Sequence, residues 1–425
     1  MSHLLDEIVL AQKREEARGI ASICSTHPWV LKAAMQKDGL LLIESTCNQV
    51  NQFGGYTGMT PAAFAAYMHG LAAENGFPSG RVILGGDHLG PNVWQNEPAA
   101  SAMHKSADMV RAYVQAGYTK IHLDASMKLG DDDPTRPLDQ EQAARRTAWL
   151  AKVAEETLAK VPKSSDGLRY IIGTEVPIPG GATTHEDGVR VTTVEDAQRT
   201  LETTRTAFLR EGLDSAWERV IALVVQPGVE FGDDFVLDYN PEAAHELVRF
   251  SETTSLIYEA HSTDYQTRNH LRNLVRDHFA ILKVGPALTF AFREAVFALA
   301  MMEAELFPPG QCSELLAVLD RAMLRQPDYW QEHYHGTPAE QAFARKYSLS
   351  DRARYYWTDS AVQAALTKLL SNLESITIPQ SLLSQYAPLA LDQIRMGKLP
   401  HRPASVIDAS IQVVLDDYQY ACNLD

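Results

Sequence analysis

The stretch RVILGGDHLGP, Arg81 to Pro91, decides how this chain folds. An apolar run, Val82 to Leu84, stops at two glycines and delivers an acid and an imidazole, Asp87 and His88, before Gly90 and Pro91 end it. Alone, such a pair reads as a loop cap. Repetition changes the reading, because seven further short apolar runs end the same way, in polar residues. They are ASICS (21–25), LLLIES (40–45), KIHLDA (120–125), YIIGTE (170–175), IALVVQ (221–226), LIYEAH (256–261) and AILKVG (280–285).

Segments with helical spacing and legible starts lie between these runs. Thr60-Pro61 and Asn240-Pro241 each set a capping side chain before a proline whose missing N–H costs nothing at the first helical position. Short strands alternating with helices imply a parallel sheet. Eight of them favour closure into an α/β fold of (βα)8 TIM-barrel type over an open doubly wound sheet, and no Gly-x-Gly-x-x-Gly follows the first run. The barrel is assigned to residues 1–305. Residues 306–425 read as a helical C-terminal extension, with SELLAVLDRAMLRQ and AVQAALTKLLSNL as amphipathic helices packing on the barrel or on a second protomer. Within it, Asp351, Arg352 and Arg354 beside Tyr355 to Trp357 read as a solvated, salt-bridged turn in preference to one that reaches over a neighbouring mouth.

Composition narrows the function. Across 425 residues, 38 Lys plus Arg face 54 Asp plus Glu, a formal net charge of -16 that disfavours nucleic acid or an anionic membrane as partner. The opening MSHLLDEIVLAQKREEARG interleaves charges with apolar residues, unlike a secretory signal, and no run approaches the ~18 apolar residues of a membrane span. Cys24, Cys47, Cys312 and Cys422 stand far apart without a Cys-x-x-Cys pairing, which argues against a disulfide framework and a thiolate zinc site. A cytoplasmic protein is expected.

In a barrel the C-terminal strand ends converge on one mouth, where active sites gather. Here those ends carry Cys24, Ser25, Glu44, Asp87, His88, His122, Asp124, Glu175, Gln226, Glu259, His261 and Lys283. Strand positions two apart share a face, so His122 pairs with Asp124 and Glu259 with His261. Imidazoles from His88 and His261 with the Glu175 carboxylate make a set suited to one divalent transition metal: Zn, Mn, Co or Ni. Asp124 and Glu259 are rival carboxylates, as ligands or as acid/base groups. Asp87, beside His88, is placed to move a substrate hydroxyl proton. Lys283 offers either a Schiff base or, more simply, a counter-charge to the carboxylates.

The loop NQVNQFGGYTGMTP (48–61) is rich in amides and glycines suited to sugar hydroxyls or a phosphate, through Asn48, Gln52, Gly54 and Gly55. PIPGGA (177–182) invites the same reading. Glu44, His122, Gln226, Asp264 and Lys283 complete the expected substrate contacts, and Arg268 with Lys283 lies where barrels often bind phosphate.

Together the blocks ESTCNQVNQFGGYTGMTP, GGDHLGPNVWQ, KIHLDASM, GTEVPIPGG, VVQPGVEF, YEAHSTDYQT, LKVGPALTF and RYYW resemble the Z-type subunit family of tagatose-bisphosphate aldolase, GatZ/KbaZ, from Cys24 to the C-terminal helices. The resemblance implies a TIM barrel related to class II aldolases, in galactitol or amino-sugar catabolism. In that superfamily an Asp-His pair at a strand end supplies a catalytic acid followed by a metal ligand, the arrangement in which Asp87 and His88 stand. It also implies two functions: a non-catalytic partner that activates and stabilises a Y-type aldolase subunit, or an epimerase at C4 of free ketohexoses.

The full complement of acids, imidazoles and glycines at the mouth directs the expectation to the epimerase. A metal-assisted retro-aldol step would break C3–C4 of fructose or tagatose, with Asp87 taking the C4 hydroxyl proton and Glu259 or Asp124 as second acid/base. The aldehyde fragment would then add back through its other face. The expected partners are a ketohexose or ketohexose phosphate, the Y-type aldolase subunit and further copies of the chain.

Overall fold

Short runs rich in Val, Ile and Leu, buried on both faces, are what a parallel barrel wall requires. In the computed structural model, which describes residues 3–161, 167–173 and 189–422, each of the eight runs forms a strand. They are β1 (Ile20–Ile23), β2 (Leu41–Thr46), β3 (Val82–Leu89), β4 (Lys120–Leu123), β5 (Arg169–Ile172), β6 (Val220–Val224), β7 (Ile257–Ala260) and β8 (Phe279–Val284). All are parallel, and β1 pairs with β8, Ile20 beside Ile281 and Ser22 beside Lys283, to close the ring in chain order. Both expected caps form: Thr60 accepts from the Ala63 amide and Asn240 from the Glu242 amide.

The barrel interior changes character along its axis. At the N-terminal ends Ile20, Leu42, Ile83, Ile171, Ile257 and Ile281 build an aliphatic layer, sealed by Leu5 and Ile8 of the helix Leu4–Lys13. Two residues further along, the same faces of β2, β7 and β8 carry Glu44, Glu259 and Lys283, joined by Lys120 from β4. Gly85 of β3 stands in register with Glu44 on one side and Lys120 on the other. A Cβ there would come within 2.7 Å of Glu44 Cγ, so the missing side chain is what lets acid and amine meet across the strand.

β3 also carries one residue more than its neighbour: Gly86 pairs with Ile121, but Leu89 pairs with Leu123. The extra residue is taken up as a bulge in which His88 adopts φ 49°, the left-handed region that non-glycine residues rarely enter. In a regular strand Asp87 and His88 would point to opposite faces. The bulge turns both into the mouth.

The C-terminal region is helical, as expected, and its last helix, Pro403–Cys422, is stitched to the barrel. Tyr418 donates to the Thr263 carbonyl (2.8 Å), Gln412 to the Ala33 carbonyl (2.8 Å), and Arg272 reaches the Ala421 carbonyl (3.0 Å). One expectation is corrected. Asp351 and Arg352 are buried rather than solvated. The Asp351 carboxylate pairs with Arg293 (3.1 Å) and accepts from Thr289 (2.6 Å), both on the helix Pro286–Leu306. Burial of the adjacent Ala353, Tyr356 and Trp357 draws the charges inward, and their partners are too distant in sequence for local reading to supply. A small antiparallel hairpin, Glu230–Phe231 with Val236–Leu237, was also not expected. No helix among the described residues is long and apolar enough to cross a membrane.

If Gly85 is the gap through which Glu44 and Lys120 meet, Gly85→Ala should cost about 1–3 kcal/mol through overpacking. Urea unfolding checks this; an unchanged midpoint would mean that β2 and β3 relax apart freely.

Candidate functional site

Lys120, Glu44 and Glu259 have no measurable exposure, and the lysine sits between the two acids: its ammonium contacts Glu44 and lies 2.7 Å from Glu259. Burial opposes a charged amine, but the attraction of Glu259 and Glu44 outweighs it and holds Lys120 above its ordinary range. Lys283 extends the chain of charges, contacting Asp87 and lying 3.6 Å from Glu44. Those carboxylates keep it charged despite burial, so in this geometry it serves as counter-charge rather than as an amine nucleophile.

Above this ionic layer lie three imidazoles. The ring centres of His88, His122 and His261 are 5.0–5.4 Å apart. Each ring is held by a carboxylate: His88 Nδ1 donates to Asp124 (3.0 Å), His122 Nδ1 to Asp87 (2.8 Å) and His261 Nε2 to Glu259 (3.0 Å). Asp124 in turn accepts from the amide and hydroxyl of Ser126. With Nδ1 engaged, His122 Nε2 is left buried with no hydrogen-bond partner among the described residues. Ligand atoms from Asp87, His88, His122 and His261 fall within 4.8 Å of one another, a buried group able to hold a metal ion. Burial, with the charge of Lys283, keeps the His261 ring well below the usual imidazole range, hence neutral and able to offer a lone pair. Burial works against ionised Asp87, yet His88, Lys283 and His122 outweigh it and hold its carboxyl well below the usual range.

A pocket opens over the cluster, and Asp87, His88, His261, Asp264 and Lys283 line it together with Asn48. Other expected residues lie off its wall. Gln52 turns to the Lys105 carbonyl (2.9 Å), Gln226 accepts from the Gly228 and Val229 amides to close its own turn, and Gly54 and Gly55 shape the loop whose Asn51 accepts from Gly55. Arg268 faces outward to Asp417 (3.0 Å). Glu175 and the PIPGGA turn lie outside the described residues. Sequence reading missed Lys120, although the spacing that joins His122 to Asp124 equally puts Lys120 on that face. It named neither Gln49 nor Tyr56 within the loop 48–61, nor Phe231 of the hairpin, and it set Tyr355 in a solvated turn; all four line the pocket and carry no periodic signal.

A family described as D-tagatose-1,6-bisphosphate aldolase subunit GatZ/KbaZ-like matches residues 5–423. The chain belongs to this family. Similar proteins include the D-tagatose-1,6-bisphosphate aldolase subunit GatZ of Salmonella paratyphi B, 52% identical over 425 residues, covering 99% of this chain and 100% of the relative. The subunit of the same name from Salmonella typhimurium is 51% identical with the same coverage. A crystal structure from Sinorhizobium meliloti 1021, described as a probable tagatose 6 phosphate kinase, superposes with a TM-score of 0.87 at 43% identity, covering 95% of this chain and all of that one.

Removing the cation from the ionic layer should be more harmful than its size suggests. Lys120→Met leaves two fully buried acids facing each other and is expected to cost about 3–5 kcal/mol in denaturant unfolding. A loss under about 1 kcal/mol would show that the acids are not ionised there.

Proposed function

We propose that this chain is the Z-type subunit of a D-tagatose-1,6-bisphosphate aldolase, and that its own barrel mouth is a divalent-metal site for a ketohexose or its phosphate. Full-length kinship carries the first part: 52% identity across 99% of the chain to a protein named as that subunit. This shifts the weight from the epimerase that the sequence favours to the partner-subunit alternative.

The donor set supports the second part. Asp87, Asp124, Glu44 and Glu259 bring four carboxylates against the two ammonium groups of Lys120 and Lys283, so that among the described residues Asp87 and Asp124 are left to the imidazoles of His122 and His88. A divalent cation can take the place of positive charge on those imidazoles, and Nε2 of His122, without a hydrogen-bond partner among the described residues, offers it a ligand atom. His88 and His261 would hold the ion with His122, and Glu175 remains an expected ligand outside the described residues. Zn, Mn, Co and Ni all suit such a set. Bound there, the ion supplies Lewis-acid polarisation of a ketose carbonyl.

The chain's own groups divide the remaining work. Asp124 and Glu259, through their hydrogen bonds to His88 and His261, fix ring orientation and tautomer. Asp87, ionised and close to the imidazoles, is set up to accept a proton from a sugar hydroxyl rather than to donate one. Lys283 holds the Asp87 carboxylate in place.

A second reading is an autonomous ketohexose C4 epimerase, and one observation favours it: Asp87 and the three imidazoles are assembled at a pocket wall, which a purely stabilising partner does not need. To test both, the purified chain is added to a Y-type subunit while cleavage of tagatose 1,6-bisphosphate and the thermal half-life of activity are followed. Both should rise, and equally with Asp87→Asn. Absence of any rise contradicts the subunit reading. Interconversion of fructose and tagatose by the metal-loaded chain alone, abolished in Asp87→Asn, would put the epimerase in its place.

A further inference from the structure

The mouth pocket has a wall that the barrel does not supply. Arg354 and Tyr355, from the short helical turn Arg352–Tyr356 in the C-terminal region, line it alongside His88, His261 and Lys283. Arg354 and Tyr355 are locked to each other: the guanidinium lies 4.5 Å from the Tyr355 ring centre and donates to its hydroxyl (2.9 Å). Tyr355 stacks on Tyr329 (4.7 Å) and meets Tyr56, from the loop after β2, edge-on at 4.9 Å. The second arm of the guanidinium is anchored to the Ser350 and Asp351 carbonyls.

What Arg354 lacks is a carboxylate. Among the described residues its hydrogen bonds go to two carbonyls and a hydroxyl; buried Arg293 and Arg345 are paired with Asp351 (3.1 Å) and Asp320 (2.7 Å), and Arg352, which likewise has no ion pair, donates to the Tyr329 carbonyl (2.9 Å) and does not line the mouth pocket. The other cation on the pocket wall, Lys283, is already occupied by Asp87 and Glu44. Arg354 therefore brings to the pocket a positive charge, in a planar fork suited to oxyanions, that feels Asp264 and Asp351 at a distance but forms no direct ion pair with an acid among the described residues.

The place where a barrel usually seats an anion is not open here. Phosphate sites form at the loops after the seventh and eighth strands, against a helix N-terminus. In this chain the amides that begin the helix after β8, those of Gly285 and Ala287, both donate to the Asp264 carboxylate (2.9 and 2.8 Å). A substrate anion is thus turned away from that helix.

We propose that Arg354, supported by the hydroxyls of Tyr355 and Tyr56, recognises a phosphate monoester on the sugar bound at this mouth, so that the C-terminal region selects phosphorylated ketoses over free ones. The inference rests on the reading of the mouth as a sugar site and assigns the distinction between phosphorylated and free sugar to a residue outside the barrel strands. Arg354 is a specificity residue in this account and takes no part in bond breaking.

Calorimetric titration of the full chain with D-tagatose 6-phosphate, D-tagatose and inorganic phosphate tests it. Wild type should prefer the phosphorylated sugar, with inorganic phosphate competing. Arg354→Gln, which keeps a donor for the two carbonyls but loses the charge, should weaken the phosphorylated sugar roughly 10- to 100-fold and leave free tagatose within about twofold. Arg354→Lys should restore part of the loss, which a merely structural defect would not allow. Equal affinity for both sugars in wild type, or an equal loss for both in Arg354→Gln, overturns the assignment of Arg354 while leaving the mouth as a sugar site. No binding of any sugar to wild type overturns both.

Discussion

One ammonium group organises this molecule. Lys120 lies at the centre of the barrel between Glu44 and Glu259, without exposure to solvent. Two acids so placed without a cation would each bear a desolvation cost of several kcal/mol, and one lysine shared between them makes the layer tolerable. The requirement spreads outward. Gly85 has no side chain because Glu44 must reach past β3. Below, an aliphatic layer and the N-terminal helix keep water away from the charges. Above, Glu259 uses its other oxygen to hold His261, so the ionic layer is also the floor of the imidazole cluster.

The second constraint is geometric. Two consecutive strand residues must both face the mouth, and the chain achieves this by giving β3 an extra residue with His88 in the left-handed region. A non-glycine residue held there costs of order 1 kcal/mol or more, and such strain tends to persist at functional sites. Here the Asp124 hydrogen bond and the packing of His88 against His122 and His261 over-determine its position. The arrangement sets four carboxylates against two ammonium groups, leaves Asp87 and Asp124 to the imidazoles of His122 and His88, and among the described residues gives His122 Nε2 no hydrogen-bond partner. A divalent cation, as proposed, would answer both features.

The barrel was legible because the physics that sets it is local. Each strand announces itself through a short branched run, and each ends in a polar residue that only a converging fold can use. Asp87, His88, His122, Asp124, Glu259, His261 and Lys283 were readable for that reason, and the geometry brings all seven into one cluster. Lys120 escaped notice since a lysine at a strand start reads as exposed, and only the register beside Gly85 reveals its inward direction. Tyr56 lies in the glycine-rich loop read as a sugar clasp, but the placing of Arg354 and Tyr355 over this mouth was only the lesser of two readings of their turn. Their position depends on the C-terminal turn folding back on the helix Pro286–Leu306, which is set by the Asp351–Arg293 pair across 58 residues of chain, a separation no periodic pattern encodes.

On the proposed reading, the carboxylate-backed imidazoles and the unpartnered His122 Nε2 form a metal site. Its most direct test is the metal content, by elemental mass spectrometry, of chain stripped and then equilibrated with each of Zn, Mn, Co and Ni. Wild type should retain one divalent ion per chain with at least one of these metals, and His88→Ala and His261→Ala should lose tight binding while remaining folded by circular dichroism. Failure of wild type to retain any of the four ions, or undiminished retention in both variants, would contradict the account.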